Sequence, residues 1–275
     1  MQSTAAPADD VPHVPDPGTG PGAEAAVART SSRIGAFDVA RGAAVVSMVL
    51  FHLCYDLRYL AGLDLAWFSS PLVDVWRASI SWTFLFVAGC MCPLSRSNLR
   101  RGLGYAAVAV LVWVVTSVAA VDTAISFGII YCMAACTLAA WALQRLGALP
   151  RGPVAALLLF VAFVLLLDLR HGTVGVGPLE LELPDAWYQT EWLAWLGLPG
   201  PGFSSGDYYP LLPYLLLYLA GAAMGTTWAE RGYPEWARRA SCPPLSFVGR
   251  HALVVYVVHQ PVLLVVTELV SLVAT

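Results

Sequence analysis

Lysine is absent from this chain: all fifteen basic residues are arginine. Charge of either sign is scarce, at 12% of 275 residues, where a soluble domain carries roughly a quarter. With 58% hydrophobic residues spread over most of the length, this scarcity excludes a water-soluble domain and implies an integral membrane protein in a lipid bilayer. The arginine-only usage fits GC-rich coding and carries no mechanism by itself. CxxC pairs and Cys/His ligand spacings are also missing. The cysteines Cys54, Cys90, Cys92, Cys132, Cys136 and Cys242 therefore read as small apolar side chains rather than a zinc site, and no metal is expected. The N-terminal region lacks a basic stretch followed by an apolar core, so a signal peptide is not expected.

Residues 1–34 are rich in Pro, Ala, Gly, Asp and Ser without apolar periodicity, which predicts a disordered tail. The remainder, 35–275, is expected to form one polytopic domain. Seven stretches, near 37–59, 75–95, 103–121, 124–144, 152–169, 208–228 and 251–272, approach the ~20 apolar residues needed to cross the hydrocarbon. The fold class is thus all-α, with about seven transmembrane helices. Arg96, Arg100 and Arg101, then Arg145 and Arg151, then Arg231, Arg238, Arg239 and Arg250 fall in one alternate set of loops. Asp64, Asp122 and the acidic 168–207 segment fall in the other. The positive-inside rule puts the first set, and the N-terminus, in the cytoplasm and the C-terminus outside. The segment 170–207, with Trp187, Trp192 and Trp195, is compatible with lying at the membrane surface or dipping back in.

The first span, FDVARGAAVVSMVLFHLCYDLRY, carries ionisable groups that a membrane helix does not hold without cause. Asp38, Arg41, His52 and Asp56 share one stripe at helical period with positions 45 and 48. Arg41 and His52 are eleven residues apart, within roughly 20° around the helix and about 16 Å along it. His52 is the candidate general base. Asp56, one turn further, is placed to accept from its imidazole or to orient a substrate. The competing reading is that His52 only hydrogen-bonds a neighbouring helix. Arg41 is placed to pair with Asp38 or Asp56, to bind an anion, or to snorkel.

Three further sets are singled out. Arg96, Arg100 and Arg101 form a short basic cluster suited to phosphates or simply to topology and headgroup contact. His259 lies in VVYVVHQPVLL, one turn beyond Tyr256, with Pro261 breaking the backbone ladder locally; substrate contact and a helix–helix hydrogen bond are both open. Asp207 and Tyr208 begin the sixth span. His13 and His171 are given no role.

RGAAVVSMVLFH is an arginine, ten residues, then a histidine. On a first membrane helix this pattern resembles the hallmark of the transmembrane acyltransferases. The strings FDVARGAAVVSMVLFHLCYDL, ISFGIIYCMA, GDYYPLLPYLLLYLAGAAMG and LSFVGRHALVVYVVHQPVLL are similar to the bacterial branch related to the heparan-alpha-glucosaminide N-acetyltransferase catalytic domain. The resemblance covers about 33–272. It implies acyl transfer, with acetyl-CoA or another acyl-CoA as cytoplasmic co-substrate, to an extracytoplasmic small-molecule or glycan acceptor, and location in a bacterial cytoplasmic membrane. It implies catalysis at His52, as base or transient acyl carrier, with Arg41 on the CoA side, CoA phosphate contacts at Arg96, Arg100 and Arg101, and acceptor contacts at Asp207 and Tyr208; the residue readings above add Asp56 to the catalytic set and His259 to the acceptor contacts. The family's lysosomal members place a catalytic histidine in the loop after the first span, where residues 53–75 contain none; they carry Asn at the position of His52. Related bacterial chains often have His where this one has Tyr131.

A small-molecule transporter and a non-catalytic membrane partner are the alternatives. The first is opposed by the lack of an inverted repeat or of matched Gly/Pro-broken spans. No nucleic-acid partner is expected, and oligomeric state, a homodimer included, stays open.

Overall fold

A computed structural model describes residues 33–120 and 122–274. All but the last two positions of the expected tail lie outside the described residues. Seven long helices form where apolar stretches are expected: α1 Gly35–Tyr59, α2 Pro71–Cys90, α3 Asn98–Ala119, α4 Ile129–Arg145, α5 Pro153–Leu165, α6 Leu211–Arg231 and, after two short helices α7 Glu235–Arg239 and α8 Pro243–Arg250, α9 Ala252–Ala274. Their ends follow local chemistry. Proline opens α2, α5 and α8, where its missing N–H costs nothing. The Ser97 hydroxyl accepts from the Arg100 N–H at the start of α3, satisfying one orphan donor. Asp38 in the first turn of α1 and Arg58 in its last complement the helix dipole.

Five of these helices are long and apolar enough to cross a bilayer: α1, α3, α5 with the turn that extends it to His171, α6 and α9. The other two fall short for different reasons. α4 has only 17 residues, about 25 Å. α2 is 20 residues long, but Asp74, Arg77 and a run of Ser and Thr dilute its apolar character.

The helices differ in how far they are enclosed, and this sets centre and periphery. The most apolar window of α6 is 56% buried inside the protein, that of α3 only 6%. α6 is therefore the central element, packed on α2, α4 and α5, with Leu85, Cys132, Cys136, Phe163, Leu217, Tyr218 and Ala222 in the core. α3 leans on α4 and leaves Val110, Leu111, Trp113, Val114, Val115 and Val118 exposed, a continuous apolar face suited to lipid. Cys90, Cys92, Cys132 and Cys136 are buried thiols, filling space as small apolar groups.

The α2–α6 contact is made by backbone meeting backbone. A Cβ on Gly89 would collide with the Tyr218 carbonyl oxygen, one on Gly221 with that of Phe86, and one on Gly225 with that of Cys90. Gly221 and Gly225 form a G-xxx-G pair on one face of α6, the spacing that lets membrane helices approach closely. On the other side, α8 crosses α1 at Gly42 and Gly249. α9 then runs beside α1 in the same direction: α8 meets α1 at Asp38 and Gly42, and by His259 and Gln260 the chain has advanced to His52 and Asp56.

The long segment between α5 and α6 is built of short turns and a two-residue hairpin, β1 Thr173–Val174 against β2 Leu181–Glu182, with Thr173 opposite Glu182. Tyr188 donates to the Leu169 carbonyl and Tyr208 to that of Ala194, which hold the segment together, and the Gly175 N–H donates to the Leu165 carbonyl at the end of α5 at 2.7 Å. Its tryptophans Trp187, Trp192 and Trp195 are exposed. This end of the bundle is the loop end below; the end with Arg96, Arg145 and Arg231 is the arginine end.

Gly221→Ala and Gly225→Ala should each lower stability by about 1–3 kcal/mol, because the added methyl meets a carbonyl that cannot move away. Gly104→Ala on α3 meets nothing within 4 Å and should be neutral or stabilising by about 0.5–1 kcal/mol. Thermal unfolding of the three variants in detergent measures the contrast.

Candidate active site

The polar stripe of α1 faces inward. Val45, Met48 and Asp56 are buried, and Asp56 has no exposed surface at all. At the arginine end Arg41 pairs with Asp38 within the same helix, while its Nε is buried without a hydrogen-bond partner among the described residues. The simplest of the partners open to Arg41 is thus the one adopted.

Two turns from the loop end the stripe meets α9. The imidazole of half-buried His52 lies against that of buried His259, ring centroids 5.1 Å apart and planes at 57°. His259 Nδ1 is 2.7 Å from the Tyr256 carbonyl oxygen. A carbonyl only accepts, so in this contact Nδ1 carries the proton and Nε2 keeps a lone pair. That Nε2 is buried and unpartnered among the described residues. The next residue, Gln260, reaches α1 one turn beyond His52, its Nε2 donating to both carboxylate oxygens of Asp56, at 3.1 and 3.0 Å. Asp56 therefore takes its hydrogen bonds from α9, not from His52. The neighbour of His52 is a second histidine contributed by the far end of the chain.

His52 is held from its other side by aromatic packing. Phe51 sits among Phe68 and Trp76 at centroid distances of 5.3 and 5.2 Å, and Trp76 Nε1 donates to Ser47 Oγ at 2.7 Å. These contacts fix the rotation of α1 against α2.

The arginine cluster divides. Arg96 and Arg100 remain exposed. Arg101 turns inward, its Nη2 donating to the Tyr218 hydroxyl at 2.6 Å and to the Ala88 carbonyl at 3.3 Å. Beside it Asn98 donates to the Cys92 carbonyl at 2.9 Å and to Gln144 at 3.1 Å. Arg101 thus joins α3 to α2 and α6, a duty its position in the string did not reveal.

At the loop end Asp207 caps a helix distant in sequence: its Oδ2 accepts from the Ile129 N–H at the start of α4, at 3.2 Å. The 124–128 and 205–209 segments run together, with Tyr209 N–H donating to the Phe127 carbonyl at 2.7 Å and Gly206 N–H to that of Ala124 at 3.2 Å. Burial pushes the Asp207 carboxyl up to about 6, against the pull of the Ile129 N–H and the Arg77 charge. Burial also raises the Tyr208 hydroxyl. Tyr256, one turn before His259, reaches the Ile130 backbone, so the cap and the histidine pair are joined through the start of α4.

Beside Tyr208 a cavity of about 50 Å³ opens between α2, the turn after α5 and the start of α6, lined by Arg77, Ser81, Trp82, Arg170, Tyr209 and Tyr214 among others. Arg77, Arg170, Tyr209 and Tyr214 were not among the candidates read from sequence. The DYYP string hinted at the tyrosines, but nothing local brings an arginine of α2 and one of the turn after α5 to one place. The structure thus assembles His52, His259 and Asp56, sets Asp207 and Tyr208 at the loop end, and leaves Arg96 and Arg100 at the arginine end. Among the described residues no group of three or more His, Cys, Asp and Glu side chains converges as a metal site.

A carboxyl held at about 6 when folded and near 3.9 when unfolded binds more protons in the folded state between those values. Its contribution to stability is present below about pH 4 and lost as pH rises through 6. Asp207→Asn keeps an oxygen for the Ile129 N–H and should flatten this decline; Asp207→Ala, which uncaps α4 and also removes the titrating carboxyl, should cost about 0.5–2 kcal/mol near pH 4 and less as pH rises through 6. Unfolding midpoints from pH 4 to 7 test both.

The model of the heparan-alpha-glucosaminide N-acetyltransferase catalytic domain matches residues 33–261, a span that runs from the start of α1 past His259. No curated protein and no solved structure matches the chain. The match takes in both halves of the histidine pair, the Asp56–Gln260 contact, the arginine cluster and the Asp207 cap, and it carries a transferase activity in a membrane-embedded domain. The chain belongs to the heparan-alpha-glucosaminide N-acetyltransferase catalytic-domain family.

Proposed function

We propose that this protein is a seven-span acyltransferase that moves an acyl group, acetyl in the first instance, from cytoplasmic acyl-CoA to an extracytoplasmic amine or hydroxyl, a sugar or amino sugar. The observation that carries the proposal is the pairing of His52 with His259, one of them holding an unpartnered lone pair inside an apolar bundle. A buried imidazole held with Nε2 unprotonated is prepared to receive a proton.

In this reading α2 and α4 span with the five apolar helices, both packed on the central α6. The parallel course of α1 and α9 supports an odd number of spans from first to last. The arginine loops then lie in the cytoplasm with the N-terminus, and the C-terminus lies outside. A reporter active only in the cytoplasm and fused after Thr275 should stay silent.

Arg96 and Arg100, exposed and without a carboxylate partner among the described residues, suit the phosphates of a CoA nucleotide at the arginine end. His52, half-buried, meets the acceptor. It takes the proton of the attacking N–H or O–H as the nucleophile adds to the thioester carbonyl. The C–S bond breaks, and the leaving CoA thiolate recovers that proton from the imidazolium. His259 stands behind as a second acceptor with its tautomer set by Tyr256. Gln260 and Asp56 lock α9 to α1 one turn away and so hold the two rings in register. Arg41, tied to Asp38, lies on the donor side.

His52→Ala should lower acyl transfer by about 10²–10⁴-fold while helicity and monodispersity persist; full activity in that variant overturns the assignment. His259→Ala should lower turnover by about tenfold or more with acetyl-CoA affinity unchanged. Acetyl-CoA binding to the purified protein, with slow hydrolysis, separates an enzyme from a transporter.

A further inference from the structure

The cavity at the loop end gathers two cations that the acyl-transfer reading does not use. Arg77 comes from the second turn of α2, Arg170 from the turn after α5, and Tyr208, Tyr209 and Tyr214 from the start of α6. Helices and loops far apart in sequence have converged cationic and hydroxyl side chains on one small space. Of the charged lining residues two are arginines and one is Asp74, which pairs with Arg77 on the outer rim at 3.1 Å. Arg170 is half-buried and forms no ion pair with a carboxylate among the described residues; its neighbours Asp168 and His171 pair with each other instead. A half-buried guanidinium without a counter-charge is a deficit that an anion removes.

The space admits a compact oxyanion group: about 50 Å³ is several times the ~10–15 Å³ that one water requires. Two guanidinium groups lining one space suit an acceptor with several oxygens better than a single carboxylate does. The walls are kept in place by contacts that do not use the cavity. The Tyr208 hydroxyl is committed to the Ala194 carbonyl at 2.6 Å, the Tyr209 N–H to Phe127 at 2.7 Å, and the Tyr209 and Tyr214 rings meet at 5.0 Å. The site is pre-formed, so binding need not order it.

We propose that this cavity is a phosphate-binding site, with Arg170 and Arg77 as its cationic walls, that seats the phosphate of a ligand arriving at the loop end. The chemistry has two sources. One is the headgroup of an anionic lipid, since exposed Trp187, Trp192 and Trp195 place this end at the depth where headgroups lie. The other is a soluble or acceptor-borne phosphate; only this arm rests on the acyl-transfer reading, in which the acceptor approaches from the same end.

Inorganic phosphate titrated calorimetrically into the delipidated protein should show a component that Arg170→Gln and Arg77→Gln each weaken at least tenfold. Arg239→Gln, at the opposite end and paired with Glu235, should leave it unchanged. His52→Ala should also bind phosphate normally, so a failure of the acyl-transfer reading and a failure of this site are told apart. Native mass spectrometry after reconstitution in phosphatidylcholine with phosphatidylglycerol then assigns the source. Retention of phosphatidylglycerol by wild type and its loss in Arg170→Gln indicates the headgroup; an Arg170-dependent phosphate component that phosphatidylglycerol does not compete indicates the soluble ligand. If neither phosphate nor phosphatidylglycerol binding depends on Arg170 and Arg77, the proposal is overturned.

Discussion

Asp56 has no exposed surface, in a helix whose other inward neighbours are Val45 and Met48. A carboxyl in that setting must be given donors by another helix, since water is excluded and its own backbone is already bonded. Gln260 supplies them, one amide nitrogen to two oxygens. This contact ties the first long helix to the last across 204 residues of sequence. It fixes rotation as well as proximity, because the amide reaches both oxygens from one direction. With Gln260 placed, its sequence neighbour His259 has one orientation available, against His52. The candidate chemistry therefore depends on a polar contact that sets where the two rings meet.

The rest of the bundle is arranged so that this contact forms between rigid partners. Glycines bring α2 and α6 into backbone contact, and glycines again let α8 cross α1. Dispersion and close packing, rather than a hydrophobic drive that lipid would cancel, hold such helices together. The arginine end and the loop end then play different parts. Arg101 and Asn98 are turned inward and join helices, while Arg96 and Arg100 stay outside. Asp207 caps α4, and two arginines beside it line an open space.

Much of this was legible in the chain. The seven apolar stretches became seven helices to within a few residues, because a run of that length and hydropathy has few alternatives. The α1 stripe was readable from helical period alone, and Val45, Met48 and Asp56 do face inward. His259 and Asp207 were selected as unusual, and both have specific roles in the structure. Other features were not readable. Asp56 was expected beside His52 because they are one turn apart on one helix, yet its donor comes from another. Arg96, Arg100 and Arg101 look like one cluster in the string, but their positions on the helix start send Arg101 inward. Two of the seven helices also fall short of crossing by their own composition, α4 through length and α2 through Asp74 and Arg77, a distinction that the average apolarity of the segments concealed.

The sequence by itself determined that the protein is helical, belongs in a membrane, and carries ionisable groups at three of its spans. Those properties are local: composition, run length and the 3.6-residue period act within one segment. Only the tertiary structure decided which of these groups meet. The His52–His259 pair, the Asp56–Gln260 lock, the Asp207 cap on α4 and the Arg77–Arg170 cavity each join residues far apart in the chain, so no local pattern encodes them. They arise because apolar helices must pack with every inward polar group answered, and few arrangements of these helices do that at once.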